Sequence, residues 1–233
     1  MWFKNYAFQG MIKLGKYDKE KKKFKKLKYI PLSKLERYLK GETKAEEFEE
    51  EQELGYTGMK VSVAVRGKEE PEPYRVRYFT FQEGNGLYFL VKTDNEEGIQ
   101  LLDELMTGLS YSGIGGKRHT GMGRFEYERC DMPAILRTKL ETSAEKYMLL
   151  STALPEENEL EQILEQAEYQ LLKRSGFVAS TDYADQQMRK RDLYVFQSGS
   201  CFRKTFSGQI VDVSDAGRHP VYRYAMGIFM GVG

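Results

Sequence analysis

G-L-S-Y-S-G-I-G-G-K-R-H-T-G-M-G-R-F-E-Y-E, residues 108–128, decides how this chain is read. Five glycines in eleven residues (Gly113, Gly115, Gly116, Gly121, Gly123) enclose Lys117, Arg118, His119 and Thr120. Upstream, Ile99, Leu101, Leu102, Leu105 and Met106 recur at helical spacing, and from Arg124 onward apolar and polar residues alternate as in a strand. The stretch is therefore a loop that leaves a helix and feeds a strand, a place where a scaffold holds an exposed tip. Glycines without a Cβ let backbone N–H groups approach an anion, and the lysine and arginine add charge. Known phosphate loops do not fit. A Walker loop needs glycine four residues before the G-K pair and Ser or Thr after it, where Tyr111 and Arg118 stand, and the G-x-G-x-x-G fingerprint fails at Arg118.

Composition narrows the possibilities. The chain has 233 residues, enough for one large or two small domains each with a core. Its 36 basic and 35 acidic residues leave a net charge of +1, so any nucleic-acid surface is local. Sixteen tyrosines and 13 phenylalanines suit a β-rich core, and beside Arg and Lys they suit stacking on unpaired bases. Cys130 and Cys201 lack metal-ligand spacing, Asp182, Asp185, Asp212 and Asp215 share no short spacing, and no metal, cofactor or disulfide framework is expected. No apolar run approaches the roughly 20 residues of a membrane span, and M-W-F-K-N-Y lacks a signal peptide's apolar core, so a cytoplasmic protein with no membrane partner is expected.

Taken in order, the chain carries nine lysines between Lys13 and Lys28, read as a solvated loop or as a track for RNA or an acidic partner. A short helix spans Ser33–Leu39 and ends at Gly41. Residues 42–53 are an acidic loop or ragged helix. Tyr74–Phe81 and Leu87–Thr93, joined by Q-E-G-N-G, read as a β-hairpin. Helix Glu96–Thr107, the glycine loop and strand Arg124–Arg129 follow, which is the order of the second half of a β-α-β-β-α-β unit. Beyond it, strands are expected over Tyr147–Leu154, Asp192–Gln197, Gln209–Val213 and Ala225–Val232, and a helix over Glu156–Gln166 opened by Pro155. Gln170–Ser175 is left unassigned.

The run S-G-I-G-G-K-R-H-T-G-M-G-R-F resembles the glycine-rich loop of the CRISPR RAMP superfamily, in particular the fourth subunit of the type III-A Csm effector complex. G-R-H-P-V-Y-R-Y-A-M-G-I-F-M-G-V (residues 217–232) and K-K-L-K-Y-I-P-L-S-K-L (residues 25–35) are similar to the same subunit, in the same order. The resemblance implies an α+β protein of two ferredoxin-like, RRM-like domains, residues 1–138 and 139–233. The first would hold the lysine-rich insertion and the glycine loop and would lack the usual first strand and helix. Trp2–Phe8 or Val61–Val65 would stand in for that strand, or the chain is shortened at its amino end.

By resemblance the protein is a non-catalytic RNA-binding subunit that grips the 5′ handle of the guide RNA. It would contact the large polymerase-like subunit and a backbone subunit, and meet target RNA only indirectly. The RNA-contact residues read from the sequence are Gly113, Gly115, Gly116, Lys117, Arg118, His119 and Thr120 in the loop. Arg189, Arg191 and Arg223 are added from basic clusters near the carboxyl end, where Tyr222 and Tyr224 alternate with Arg223 and so lie on the opposite sheet face. His219 reads as a turn residue. Two alternatives stand beside this reading: a metal-independent RAMP endoribonuclease with His119 as base, and a structural adaptor whose lysine run meets protein.

Overall fold

The computed structural model describes residues 2–4, 29–44, 46–48, 54–64, 72–93 and 95–232. The lysine run, Lys13 to Lys28, lies outside them. In chain order the elements begin with strands β1 (Trp2–Lys4) and β2 (Tyr29–Pro31), helix α1 (Leu35–Leu39), strands β3 (Gly55–Ala64) and β4 (Glu72–Phe81), and helix α2 (Glu96–Ser112). Helix α3 (Ala134–Glu141), strand β5 (Tyr147–Leu149) and helix α4 (Leu160–Leu164) follow. The chain then closes with strands β6 (Leu171–Arg174), β7 (Leu193–Phe196), β8 (Cys201–Phe202), β9 (Gly208–Asp212), β10 (Tyr222–Met226) and β11 (Phe229–Gly231). This is a mixed α/β architecture in which every ladder is antiparallel and no described sheet exceeds three strands.

Two compact units form: residues 1–52 with 132–233, and the intervening 53–131. In the first, the sheet β11-β5-β8 anchors a core of Leu149, Ala153, Ile163, Phe196, Phe202 and Phe206, against which Leu160, Ala167 and Phe229 pack. The phenylalanines meet edge to face, with centroids 5.1 Å apart for Phe196–Phe202, 5.5 Å for Phe202–Phe206 and 4.9 Å for Phe206–Phe229. That geometry sets ring edges on ring faces and adds to the burial. Helix α4 follows a 3-10 turn closed by a Glu156/Glu159 capping box, so the acidic start read from sequence is satisfied by its own backbone.

The expected closing strand Ala225–Val232 is two strands. β10 pairs with β9 and β11 pairs with β5, with the chain breaking at Gly227, where a Cβ would stand 2.5 Å from the Phe229 ring. The unassigned Gln170–Ser175 contains β6, which pairs with β7. Around α1, Ile30, Leu35, Tyr38 and Phe48 are buried, and Phe48 of the acidic stretch docks edge-on to Tyr38 at 6.1 Å. That stretch is thus pinned by one apolar side chain rather than being wholly exposed.

The second unit departs most from expectation. β4 does not pair with Leu87–Thr93; its ten partners lie on β3, from Gly55 opposite Phe81 to Ala64 opposite Glu72. Val61–Val63, a candidate for the missing first strand, is spent in that ladder, and Trp2–Lys4 pairs with β2 in the other unit. Residues 82–85 turn back on Leu54 instead, the Gln82 N–H and the Asn85 side chain both donating to its carbonyl. Leu87–Thr93 and Arg124–Arg129 have no ladder among the described residues. Helix α2 starts at an Asn95 cap, whose side chain accepts from Gly98 N–H, and runs five residues past the expected end at Thr107. The 124–129 segment lies along it through side chains: the Tyr127 hydroxyl donates to Asp103 O at 2.9 Å, and Arg129 pairs with Asp103 at 3.3 Å.

Candidate RNA-binding site

The glycine loop is held at its neck. Gly113 N–H donates to Leu109 O at 2.7 Å, closing α2, and Ile114 N–H donates across to Gly123 O at 2.9 Å. Gly113 and Gly123 both have left-handed φ, +76° and +80°. A Cβ on Gly123 would stand 1.9 Å from Ile114 O, and one on Gly113 would stand 2.9 Å from the Gly123 carbonyl carbon. Only glycine allows the two strands of the neck to approach this closely. Between them, Arg118–Thr120 form one 3-10 turn ended at Gly121, and the Thr120 hydroxyl donates to Lys117 O at 2.8 Å.

Above the neck lies an open recess of about 650 Å³ lined by Tyr111, Ser112, Gly115, Gly116, Arg118, His119, Gly121 and Arg124. Its lining has two guanidinium groups and no carboxylate. Neither Arg118 nor Arg124 has an acidic partner among the described residues, and the N–H groups of Gly115 and Gly116 donate to nothing there. A Cβ on Gly115 or Gly116 would meet no atom within 4 Å, so both glycines face open space. Free amides and unpaired guanidinium groups around one concavity are the chemistry that suits an anion.

The expected loop residues therefore divide. Gly115, Gly116, Arg118 and His119 line the recess, while Gly113 and Thr120 shape the loop beneath it. Lys117 points elsewhere. Its ammonium sits 4.8 Å from the ring centroid of Tyr74 on β4 and donates to the Tyr74 hydroxyl at 3.3 Å, so it ties the loop to the hairpin. Tyr111, Ser112 and Arg124 line the recess but were missed in the sequence. The S-Y-S that precedes the first glycine and the arginine that follows the last were the available signal.

In the other unit, Arg189 lies over the Phe177 ring at 5.8 Å, and Arg191 donates to Asp212 O at 2.7 Å. Arg223 reaches Ser175 O at 3.3 Å. Burial holds Lys190 below the usual lysine range, and the nearby Arg223 lowers it further. Tyr222 and Tyr224 are exposed on the face opposite Arg223, as the alternation implies. His219 is a turn residue: its Nε2 meets Ser180 Oγ at 2.9 Å, its Nδ1 meets Pro220 O at 2.9 Å, and its ring packs edge-on to the buried Tyr183. Gly217 gives that tyrosine room, since a Cβ there would stand 2.0 Å from the ring. Among the described residues no His, Cys, Asp or Glu cluster is arranged to hold a metal, and no helix is long and apolar enough to cross a membrane.

Comparison with known proteins agrees with this picture. A family model, the CRISPR Csm4 C-terminal domain, matches residues 142–232. The CRISPR system Cms protein Csm4 of Mycobacterium tuberculosis (strain CDC 1551 / Oshkosh) is 40% identical over 215 residues, covering 91% of this chain and 70% of that one. The Streptococcus thermophilus protein of the same name is 38% identical over 207 residues, covering 88% and 65%. Among solved structures, a chain of the Csm3-Csm4 subcomplex in the type III-A CRISPR-Cas interference complex superposes with a TM-score of 0.60 at 17% identity, covering 91% of this chain and 75% of that one. A chain of the Csm1-Csm4 cassette in complex with cA4 gives 0.58 at 16% identity, covering 100% and 73%. At such identities the superpositions speak for the fold alone.

Proposed function

The chain belongs to the Csm4 family, and from that premise we propose that it is a non-catalytic RNA-binding subunit of a type III-A CRISPR Csm effector ribonucleoprotein that grips the 5′ handle of the guide RNA. The observation that carries this reading is the recess on the glycine loop. Its free Gly115 and Gly116 amides and its unpaired Arg118 and Arg124 suit a phosphodiester. A fixed-sequence handle needs only to be held, by amides, guanidinium groups and an aromatic wall, and no bond need be broken. His119 lines the recess as a contact residue. It has no hydrogen-bonded carboxylate among the described residues, whereas acid–base cleavage needs a partner within reach.

Partner contacts follow from the relatives. The structural neighbours are chains of a Csm3-Csm4 subcomplex and of a Csm1-Csm4 cassette, and the equivalent backbone and large subunits are the protein partners assigned here. The two ferredoxin-like repeats, the first lacking its first strand and helix, belong to the same proposal. Leu87–Thr93 and Arg124–Arg129, read from the sequence as strands of the first repeat, have no ladder among the described residues and so are open to pairing in the assembled complex.

The test is binding of handle-containing RNA against scrambled RNA over a salt series, using complex assembled from all subunits. Arg118→Ala and Arg124→Ala should each weaken handle binding and flatten the salt slope by about 0.7 per lost phosphate contact, the single-strand value. Equal binding of both RNAs, or cleavage of repeat RNA abolished by His119→Ala, would overturn the reading, the second in favour of an endoribonuclease.

A further inference from the structure

We propose that the recess receives a single unstacked nucleotide, its base laid on the ring of Tyr111 and its phosphate held by Arg118, Arg124 and the amides of Gly115 and Gly116. This rests on the RNA-binding reading and sharpens it from a charged surface to a receptor for one residue of the strand. Volume is the first argument. About 650 Å³ lies within the roughly 300–1,000 Å³ of small-ligand pockets, a size that suits one nucleotide and not a helical segment.

Chemistry is the second argument. Tyr111 is 74% exposed yet forms a wall of the recess, and its ring stacks on no other aromatic among the described residues. It stands at the end of α2, whose backbone fixes where the ring sits. An exposed aromatic beside two free guanidinium groups is the arrangement that holds unpaired bases, because any base offers a π face while its phosphate takes the charge. A phosphorylated peptide would use the arginines and the amides but would leave the tyrosine idle.

Geometry is the third argument. Gly115 and Gly116 present bare backbone to the open side, so a phosphate can reach their N–H groups without meeting a side chain. Lys117, the residue that a charge count would choose first, is committed to Tyr74 and stays outside the lining. The recess is thus selective by shape: one phosphate at its floor, one base at its wall. His119 and Ser112 are left to face the base edge.

An abasic scan tests this with the assembled complex. Handle RNA is prepared with a single abasic ribose at each position in turn, and affinity is measured against the intact strand for the wild type, Tyr111→Ala and Tyr111→Phe. One position should be sensitive, losing roughly 5- to 150-fold, the range that base–aromatic stacking supplies. Tyr111→Ala should reproduce that loss on intact RNA and add nothing to the abasic strand at that position, while Tyr111→Phe should bind nearly as the wild type does. Because Tyr111 is largely exposed, its removal should leave the melting curve unchanged. Uniform tolerance of abasic sites, or a Tyr111→Ala loss that adds equally to every abasic strand, overturns the single-nucleotide receptor while leaving handle binding standing. If intact handle RNA itself binds no better than scrambled RNA, the RNA-binding reading fails and this inference falls with it.

Discussion

Two alanine substitutions, Gly116→Ala and Gly123→Ala, should separate what the loop binds from what holds it. At Gly123 the added Cβ would stand 1.9 Å from Ile114 O, and φ is +80°. Left-handed backbone costs a residue with a Cβ about 1–2 kcal/mol. Relieving the clash means opening the neck and losing the 2.9 Å bond from Ile114 N–H to Gly123 O, about 0.5–1.5 kcal/mol more. The sum, about 1.5–3.5 kcal/mol, should lower the melting temperature by several degrees. At Gly116 the Cβ meets nothing within 4 Å and φ lies outside the left-handed region, so stability should stay within about 0.5 kcal/mol of the wild type. That methyl group nevertheless faces the recess. If a phosphate approaches the Gly116 amide, the methyl group should cost the charge-assisted bond, about 1.5–3 kcal/mol of handle affinity. Thermal melts of the chain, paired with anisotropy of labelled handle RNA on assembled complex, read both quantities. A Gly116→Ala protein that binds as the wild type does would refute the amide contact, and a Gly123→Ala protein with an unshifted melt would refute the neck.

Lys117→Ala should weaken handle binding without flattening its salt slope, because the ammonium braces Tyr74 rather than a phosphate; Tyr74→Phe, which keeps the ring under the ammonium, should lose less than Tyr74→Ala, and a slope change of a full phosphate contact on Lys117→Ala would count against this role. Phe202→Ala, which empties the centre of the aromatic core, should cost about 3–5 kcal/mol, visible as a lower denaturant midpoint; a cost below 1 kcal/mol would contradict that core. The Asp212 carboxyl is held below its ordinary value of 3.8, first by Ser214 N–H and then by the Ser214 hydroxyl, with Val221 N–H and Arg191 adding to them against some burial. A depressed acid contributes stability above its ordinary value and loses it as pH falls through the lowered one, so Asp212→Asn should be less stable than the wild type at neutral pH and converge with it in strong acid; a gap that is constant with pH would show that the carboxylate charge is not what matters. Amides of residues 87–93 should exchange rapidly in the isolated chain and slow in the assembled complex, and equal exchange in both would argue against completion of this unit by a partner.

Local signals in the sequence were legible where one side chain or one turn decides the outcome. Glycine spacing located the loop, Pro155 and its glutamates located α4, and the Tyr-Arg-Tyr alternation gave the faces of β10. The sequence misled where the outcome depends on which partner a segment finds. Q-E-G-N-G satisfies the rules for a hairpin turn, yet β4 takes all ten pairs from β3, and 82–85 fold onto Leu54. Lys117 was read as a phosphate contact from its place beside Arg118, and its contact with Tyr74, 43 residues earlier, has no signal in the sequence. Tyr111, beyond the expected helix end at Thr107, was not among the expected contacts, although it lines the same recess as His119.

The loop owes little to the unit that carries it. Every buried apolar side chain among the described residues lies in the other unit, while Leu87, Phe89, Leu101 and Leu105 are more than half exposed in this one. A segment with so little burial has little to resist local opening. Yet the neck, the 3-10 turn and the Lys117 strut use bonds that reach no further than α2, Gly123 and Tyr74. The recess is therefore shaped by short-range contacts even where the surrounding sheet is incomplete. The exposed leucines and the unpaired segments make the unit ready for a neighbour, and the loop makes it ready for RNA. If the recess takes the guide and a partner covers the exposed leucines, as proposed, the two events act on separate parts of the same 53–131 unit, and a partner can stabilise the sheet without having to reshape the site.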